Sequence, residues 1–147
     1  MSDMTTPNIR IELRVATPDE HRRLSERVGW SHAFDWPSMP RSLEASLFGV
    51  IALDGDTAVG MGRVVGDGVL YFYIQDVAVD PEYQGRGIGQ RIVEALLERI
   101  RDTAPAHAFV GLFATDAALP LYERRGFSRG DMTGMFQVLP PAKDEER

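Results

Sequence analysis

Apolar and polar positions alternate along this chain with two different periods, and the changes of period mark out its elements. Ile9–Val15 reads Ile-Arg-Ile-Glu-Leu-Arg-Val, the period of a half-buried strand. Thr17-Pro18-Asp19-Glu20 then predicts a helix start. Threonine caps, proline suits the first helical position, and a glutamate three residues after the cap completes a capping box. Leu24 and Val28 give this helix an apolar face, Gly29 is its expected stop, and His21 is assigned to its solvated side. Trp30 to Pro40 shows no period, and a short helix is expected over Arg41–Leu47. Phe48–Leu53, Ala58–Val65 and Val69–Val79 are strand-like, separated by the turn signals Asp54-Gly55-Asp56 and Gly66-Asp67-Gly68, so this region predicts an antiparallel meander.

From Arg86 to Arg101 the period becomes helical, with Ile88, Ile92 and Leu96 in one row and Val93, Leu97 and Ile100 in the next. Ala108–Phe113 predicts a brief strand and Asp116 to Arg125 a helix stopped by Gly126, with Pro120 tolerated near its first turn. Met132–Leu139 predicts a last strand. The order β-α-α-β-β-β-α-β-α-β implies an α/β or α+β class with a mixed sheet. Residues 9–139 are expected to form one domain, with residues 1–8 as an extension and 140–147 as a tail.

Composition narrows the function classes. With 147 residues, one domain with a proper core is the expectation. Lysine and arginine number 16 against 22 aspartates and glutamates, a net charge of −6 that disfavours nucleic acid as partner. Cysteine is absent, which removes disulfides, thiolate metal sites and a cysteine nucleophile. No secretory pattern is visible at the N-terminus, and no apolar run approaches the ~20 residues that cross a bilayer, so neither membrane nor export is expected and the cytoplasm is the default location. The three histidines, at 21, 32 and 107, are scattered, and no metal site is expected. No Gly-x-Ser-x-Gly elbow supports hydrolase chemistry.

The chemistry concentrates in Val77-Ala78-Val79-Asp80-Pro81-Glu82-Tyr83-Gln84-Gly85-Arg86-Gly87-Ile88-Gly89-Gln90. A strand ends, a loop follows, and three glycines lead into an amphipathic helix. Helix starts carry unpaired amides and partial positive charge, glycines let an anion approach the backbone, and Arg86 adds a full charge. On these residues alone, an anion site and a merely tight turn stand side by side. Glycines at 85, 87 and 89 do not fit the dinucleotide spacing, and no Gly-Lys-Ser/Thr follows, so two familiar phosphate loops are excluded.

Gln84-x-x-Gly87-x-Gly89 resembles the acyl-CoA-binding motif of the GCN5-related N-acetyltransferase (GNAT) superfamily, Gln/Arg-x-x-Gly-x-Gly/Ala. Leu121-Tyr122-Glu123-Arg124-Arg125-Gly126-Phe127 is similar to a second signature, a tyrosine-bearing helix ending in Gly-Phe. The resemblance implies a single-domain acyltransferase fold with a mixed, mostly antiparallel sheet, flanking helices and a splayed central strand pair. It implies acetyl-CoA as donor, its pyrophosphate held by the amides of Gln84, Gly85, Arg86, Gly87, Ile88, Gly89 and Gln90. The pantetheine arm and thioester carbonyl would bond the strand backbone at Val77 and Val79. Tyr122 matches the tyrosine that protonates the departing thiolate. Relatives often carry an asparagine seven residues earlier, where this chain has Thr115.

An alkylammonium of pKa about 10.4 has no lone pair at neutral pH, so the acceptor must lose a proton. Tyr71, Tyr73, Gln75 and Asp76 are the candidates on the central strand, and Asp76 is the one carboxylate inside it. It is read as binding a cationic amine or relaying its proton, beside a satisfied buried polar role. Alternation puts it on the face opposite Tyr73 and Gln75 unless a bulge intervenes. Acceptor-side residues are expected to include Trp30, Phe34, Tyr73 and Gln75, a setting for an arylalkylamine or polyamine, beside the reading that the loop aromatics fill core. The pattern around Tyr73–Val77 and Gly111–Ala114 is similar to a bacterial and plastid branch of arylalkylamine acetyltransferases. The rival functions are a protein lysine or N-terminal acetyltransferase and a catalytically silent acyl-CoA-binding module. Dimers are common in the family, so a homodimer is an expectation.

Overall fold

The computed structural model describes residues 8–140. The expectations for an N-terminal extension and a C-terminal tail fall almost wholly outside those residues. Five strands form one sheet in the order β1-β2-β3-β4-β5: β1 Ile9–Glu12, β2 Phe48–Asp54, β3 Thr57–Gly66, β4 Tyr71–Val79 and β5 Phe109–Gly111. The first four are antiparallel neighbours, and β5 joins β4 in parallel. The helices are α1 Pro18–Arg27, α2 Met39–Glu44, α3 Ile88–Thr103 and α4 Leu119–Glu123, with short 3-10 turns before α2, α3 and α4 and after α1.

Each face of the sheet is covered by a helix of matching pattern. The two apolar rows of α3, including Ile92, Val93 and Leu96, are buried against Val50, Val59, Val64, Phe72 and Ile74. On the opposite face Leu24 of α1 packs with Ile51, Leu53, Met61 and Ala78. The capping box at Thr17 forms as expected: its hydroxyl accepts from the Glu20 amide at 3.1 Å while the Glu20 carboxylate accepts from the Thr17 amide at 2.9 Å.

Four expectations are corrected. Strand β1 stops at Glu12 rather than Val15, because the Arg14 amide turns back onto the Glu12 carbonyl at 3.1 Å. Strand β5 is three residues long, since only Tyr71, Phe72 and Tyr73 of β4 are paired with it. Met132–Leu139 forms no strand. Its backbone finds no ladder partner among the described residues; Gly134 lies against the Phe113 ring, and the Phe136 ring is 5.9 Å from it. The fourth correction is His21, which is buried at 1% exposure instead of lying on a solvated face.

Candidate active site

Strand β4 carries the site, and its shape is set by a bulge. Residues Arg63 and Gln75 are paired, as are Met61 and Ala78, so one residue of β3 stands opposite two of β4, Asp76 and Val77. Asp76 takes the extra position with φ +58°, a left-handed backbone uncommon outside glycine. The consequence is a change of facing. Phe72 and Ile74 pack toward α3 before the bulge, and Val77 and Val79 do so after it. Asp76 therefore shares the α1 face with Arg63 and Gln75, which corrects the simple alternation that set it opposite.

On that face Asp76 is held from two sides. Its Oδ2 accepts from Nε of Arg63 at 2.8 Å and from Nε2 of His21 at 3.0 Å. His21 Nδ1 lies 3.2 Å from the Ser25 hydroxyl, so the neutral tautomer that donates from Nε2 satisfies both bonds. Arg63 also donates to the Ser42 carbonyl at 2.9 Å and to the Ser46 hydroxyl, which ties α2 and the turn after it to the bulge. The Oδ1 atom makes no hydrogen bond among the described residues. Burial raises the carboxyl pKa, but the His21 bond and the Arg63 charge outweigh it, so the group sits below its ordinary value.

A carboxyl depressed on folding contributes stability that is present above its unfolded pKa, about 3.9, and lost as pH falls through the lower folded value. Asp76→Asn is therefore expected to lower the unfolding free energy by about 2 kcal/mol at pH 7, the worth of hydrogen bonds to a charged group. The gap between the two proteins should shrink on acidification below pH ~4. Denaturant titrations at several pH values check this, and a gap independent of pH would contradict it.

Beyond β4 the chain builds a glycine-rich loop that leads into α3. Asp80, 2% exposed, anchors it to α1: Arg27 donates to its two carboxylate oxygens from Nη2 at 2.9 Å and Nε at 3.2 Å, and the Glu82 amide donates at 3.0 Å. The Gln84 side chain donates to the Val79 carbonyl at 3.0 Å, closing the loop on the strand end. The Arg86 guanidinium lies 5.0 Å above the Tyr83 ring and bonds the Glu82 carbonyl. Gly85 and Gly87 both have φ +82°, and nothing lies within 4 Å of where a Cβ would stand. Gly87 caps α3 without a side-chain bond, and the first helical bond is Arg91 to the Gly87 carbonyl. The six amides from Gly85 to Gln90 have no acceptor among the described residues. A helix start with free amides and open space beside its glycines fits a phosphate.

The remaining expected residues divide into those that join this loop and those that do not. Ile88 is buried at the first position of α3, Gly89 abuts Leu121 of α4, and Gln90 accepts from Arg125 Nε at 2.7 Å while its Nε2 is buried without a partner. Tyr122 is buried with Ile88 in the larger core and stands edge-on to Phe127 at 5.9 Å. Its hydroxyl bonds none of the described residues, and burial pushes its pKa up. Thr115 is exposed at the cap of the turn before α4 with no side-chain capping bond, which leaves its hydroxyl free. Val77 and Val79 lie where β4 has lost β5 as a neighbour, so the sheet is split beside them. On the acceptor side the loop aromatics separate from the strand. Trp30 packs with Val28 on the smaller core, and Phe34 joins Trp36 edge-on around His21. Tyr73 instead has Phe109 as ring neighbour, and Gln75 pairs with Arg63 across the ladder.

These features, a strand split, an amide loop and a buried tyrosine, agree with the comparison to known proteins. The model of the Acetyltransferase (GNAT) family matches residues 11–127. The chain belongs to the GNAT family. An uncharacterized ycf52-like N-acetyltransferase of Prochlorococcus marinus is 30% identical over 74% of this chain and 61% of its own length. Serotonin N-acetyltransferase 2 of rice, a chloroplastic protein, is 31% identical over 48% of this chain and 34% of its own. This chain thus spans less than two thirds of either relative. A solved structure of a protein of unknown function from Staphylococcus aureus superposes with TM-score 0.82 at 30% identity, covering 90% of this chain and all of the other. As a GNAT fold, the sheet splits beyond Tyr73, and the family's glycine motif occupies the start of α3.

His21, Arg63 and Asp80 join the site although no sequence motif marks them. His21 stands three residues before Leu24 and seven before Val28, on the apolar stripe of α1, which was the available signal. Among the described residues no helix is long and apolar enough to cross a membrane.

Proposed function

We propose that this chain moves the acetyl group of acetyl-CoA directly to a small cationic primary amine, an arylalkylamine or polyamine. The observation that carries this reading is the run of free amides from Gly85 to Gln90, placed at the split in the sheet. When bound, acetyl-CoA supplies a pyrophosphate anion and an acetyl thioester as electrophile. The amides of Gly85 to Gln90 would hold the anion with Arg86 beside them, whereas the expected Gln84 amide is already given to the Pro81 carbonyl at 3.4 Å, and the backbone of Val77 and Val79 would hold the arm in the split. Thr115 offers a free hydroxyl in place of the asparagine of many relatives.

Tyr122 keeps its proton on Oη, because burial disfavours the phenolate, and is the donor to a departing thiolate of conjugate-acid pKa near 8.5. Asp76 offers Oδ1 to the ammonium as an acceptor. Its depressed pKa and the Arg63 charge beside it suit holding and aligning the amine rather than keeping its proton, which then passes to water. With no cysteine in the chain, no acyl-thiol on the protein intervenes. The name of the rice relative, a serotonin N-acetyltransferase, supports the arylalkylamine arm of the reading.

The test is release of coenzyme A from acetyl-CoA with a panel of arylalkylamines, polyamines, amino acids and lysine peptides. Acceptor-dependent release with small amines supports the proposal. Tight acetyl-CoA binding without release for any acceptor overturns it, and release with peptides alone assigns a protein acetyltransferase.

A further inference from the structure

On the α1 face of the sheet, where β4 and β5 still pair, three aromatic rings stand in a row. Register sets Tyr71 opposite Phe109 and Tyr73 opposite Gly111. The Phe109 ring lies between the tyrosines, 6.1 Å from Tyr71 and 5.9 Å from Tyr73, tilted by 51° and 55°. The three side chains are 50%, 43% and 36% exposed in the order Tyr71, Phe109, Tyr73, so the row is open to solvent rather than part of the core.

Gly111 explains how the rings lie. A Cβ there would come within 2.8 Å of Phe109 Cε1 and 3.0 Å of Tyr73 Cε1. Both rings therefore lean over position 111, the last paired position before the split. Tyr73 precedes Asp76 by three residues on the same face. At about 3.3 Å per residue their separation is at most about 10 Å, less the shortening of the bulge. An aryl group with a short aminoalkyl arm spans that distance.

We propose that Tyr73 and Phe109, leaning over Gly111, seat an aromatic ring of the acceptor and so select an arylalkylamine over a polyamine. The proposal rests on the acetyl-transfer reading and decides between its two substrate classes. A ring set into the notch between two tilted rings buries apolar area and gains edge and offset contacts. A polyamine gains only weak cation–π contacts at such exposed rings, and each further ammonium meets the Arg63 charge on the same face.

The experiment compares 2-phenylethylamine with n-butylamine, which share an ammonium but not a ring, on the full chain with saturating acetyl-CoA. The wild type is expected to prefer 2-phenylethylamine. Phe109→Ala should raise KM for that amine about tenfold and leave n-butylamine unchanged. Tyr73→Ala should raise KM for 2-phenylethylamine as well, and Tyr73→Phe, which restores the ring without the hydroxyl, should recover the preference for that amine. Equal losses on both amines, or no preference in the wild type, overturn the seat. If neither amine releases coenzyme A although acetyl-CoA binds, the transfer reading fails separately. Calorimetric binding of the two amines to the coenzyme A-loaded protein then decides: a ring preference lost in Phe109→Ala supports the seat, and equal affinities refute it. A wild-type oligomer that Phe109→Ala dissociates on gel filtration makes the row an interface between copies and overturns the proposal.

Discussion

Tyr122→Phe is expected to lower kcat by a factor of about 10² to 10⁴ with the identified acceptor, the range for loss of one positioned proton donor. The Kd for acetyl-CoA should stay unchanged. The substitution removes one oxygen from a ring packed against Phe127 and Ile88, so the core is kept. Because burial raises the phenol's pKa, the hydroxyl stays protonated through neutral and moderately alkaline pH. The wild type should lose kcat only as pH rises past that raised value, and the variant should lack this alkaline limb. A variant with wild-type kcat would exclude Tyr122 as the donor and leave it a core residue.

Gly87→Val should weaken acetyl-CoA binding about a hundredfold, equivalent to losing one or two charge-assisted hydrogen bonds of about 1.5–3 kcal/mol each. The side chain itself meets nothing, since the space around that position is open. The harm is conformational: φ is +82°, a region that costs an L-residue roughly 1–2 kcal/mol and a β-branched one more. Relieving that strain shifts the backbone that presents the free amides of Ile88, Gly89 and Gln90. Gly68→Val is the matched control, because Gly68 has φ +79° in the turn between β3 and β4, at the opposite end of β4 from the amide loop. It should lose stability without losing affinity. Calorimetry on both variants separates the outcomes, and equal loss of affinity in the two would reduce Gly87 to a turn residue.

Much of this architecture was legible because burial is local in sequence for amphipathic elements. The rows of α3, the capping box at Thr17 and the two glycine turns each state their structure within a few residues. The bulge was legible in principle as well. Core-facing apolar residues of β4 fall at 72 and 74 and then at 77 and 79 on the same face, and such a change of parity is what one extra residue produces. The fate of Met132–Leu139 was not. Its composition suits a strand, but a strand also needs a partner ladder, and in the structure Met132, Met135, Phe136, Val138 and Leu139 remain 65–86% exposed. The acceptor side was half legible. Tyr73 was named from its strand, whereas Phe109 reaches it only through the parallel pairing of β4 with β5, which no local pattern encodes.

Helix α1 has a role that its amphipathic pattern alone does not suggest. His21 fastens it to the bulge at Asp76, and Arg27, two turns further on, fastens it to the start of the amide loop at Asp80. The span between the two fasteners behaves as a ruler of fixed length and phase. One residue inserted between them would advance the far end by about 1.5 Å and rotate it by about 100°, so one fastener must let go. Descendants of this sequence are free to lengthen the irregular stretch from Ser31 to Ser38, but the segment from His21 to Arg27 has to keep its count of residues even where their identities drift.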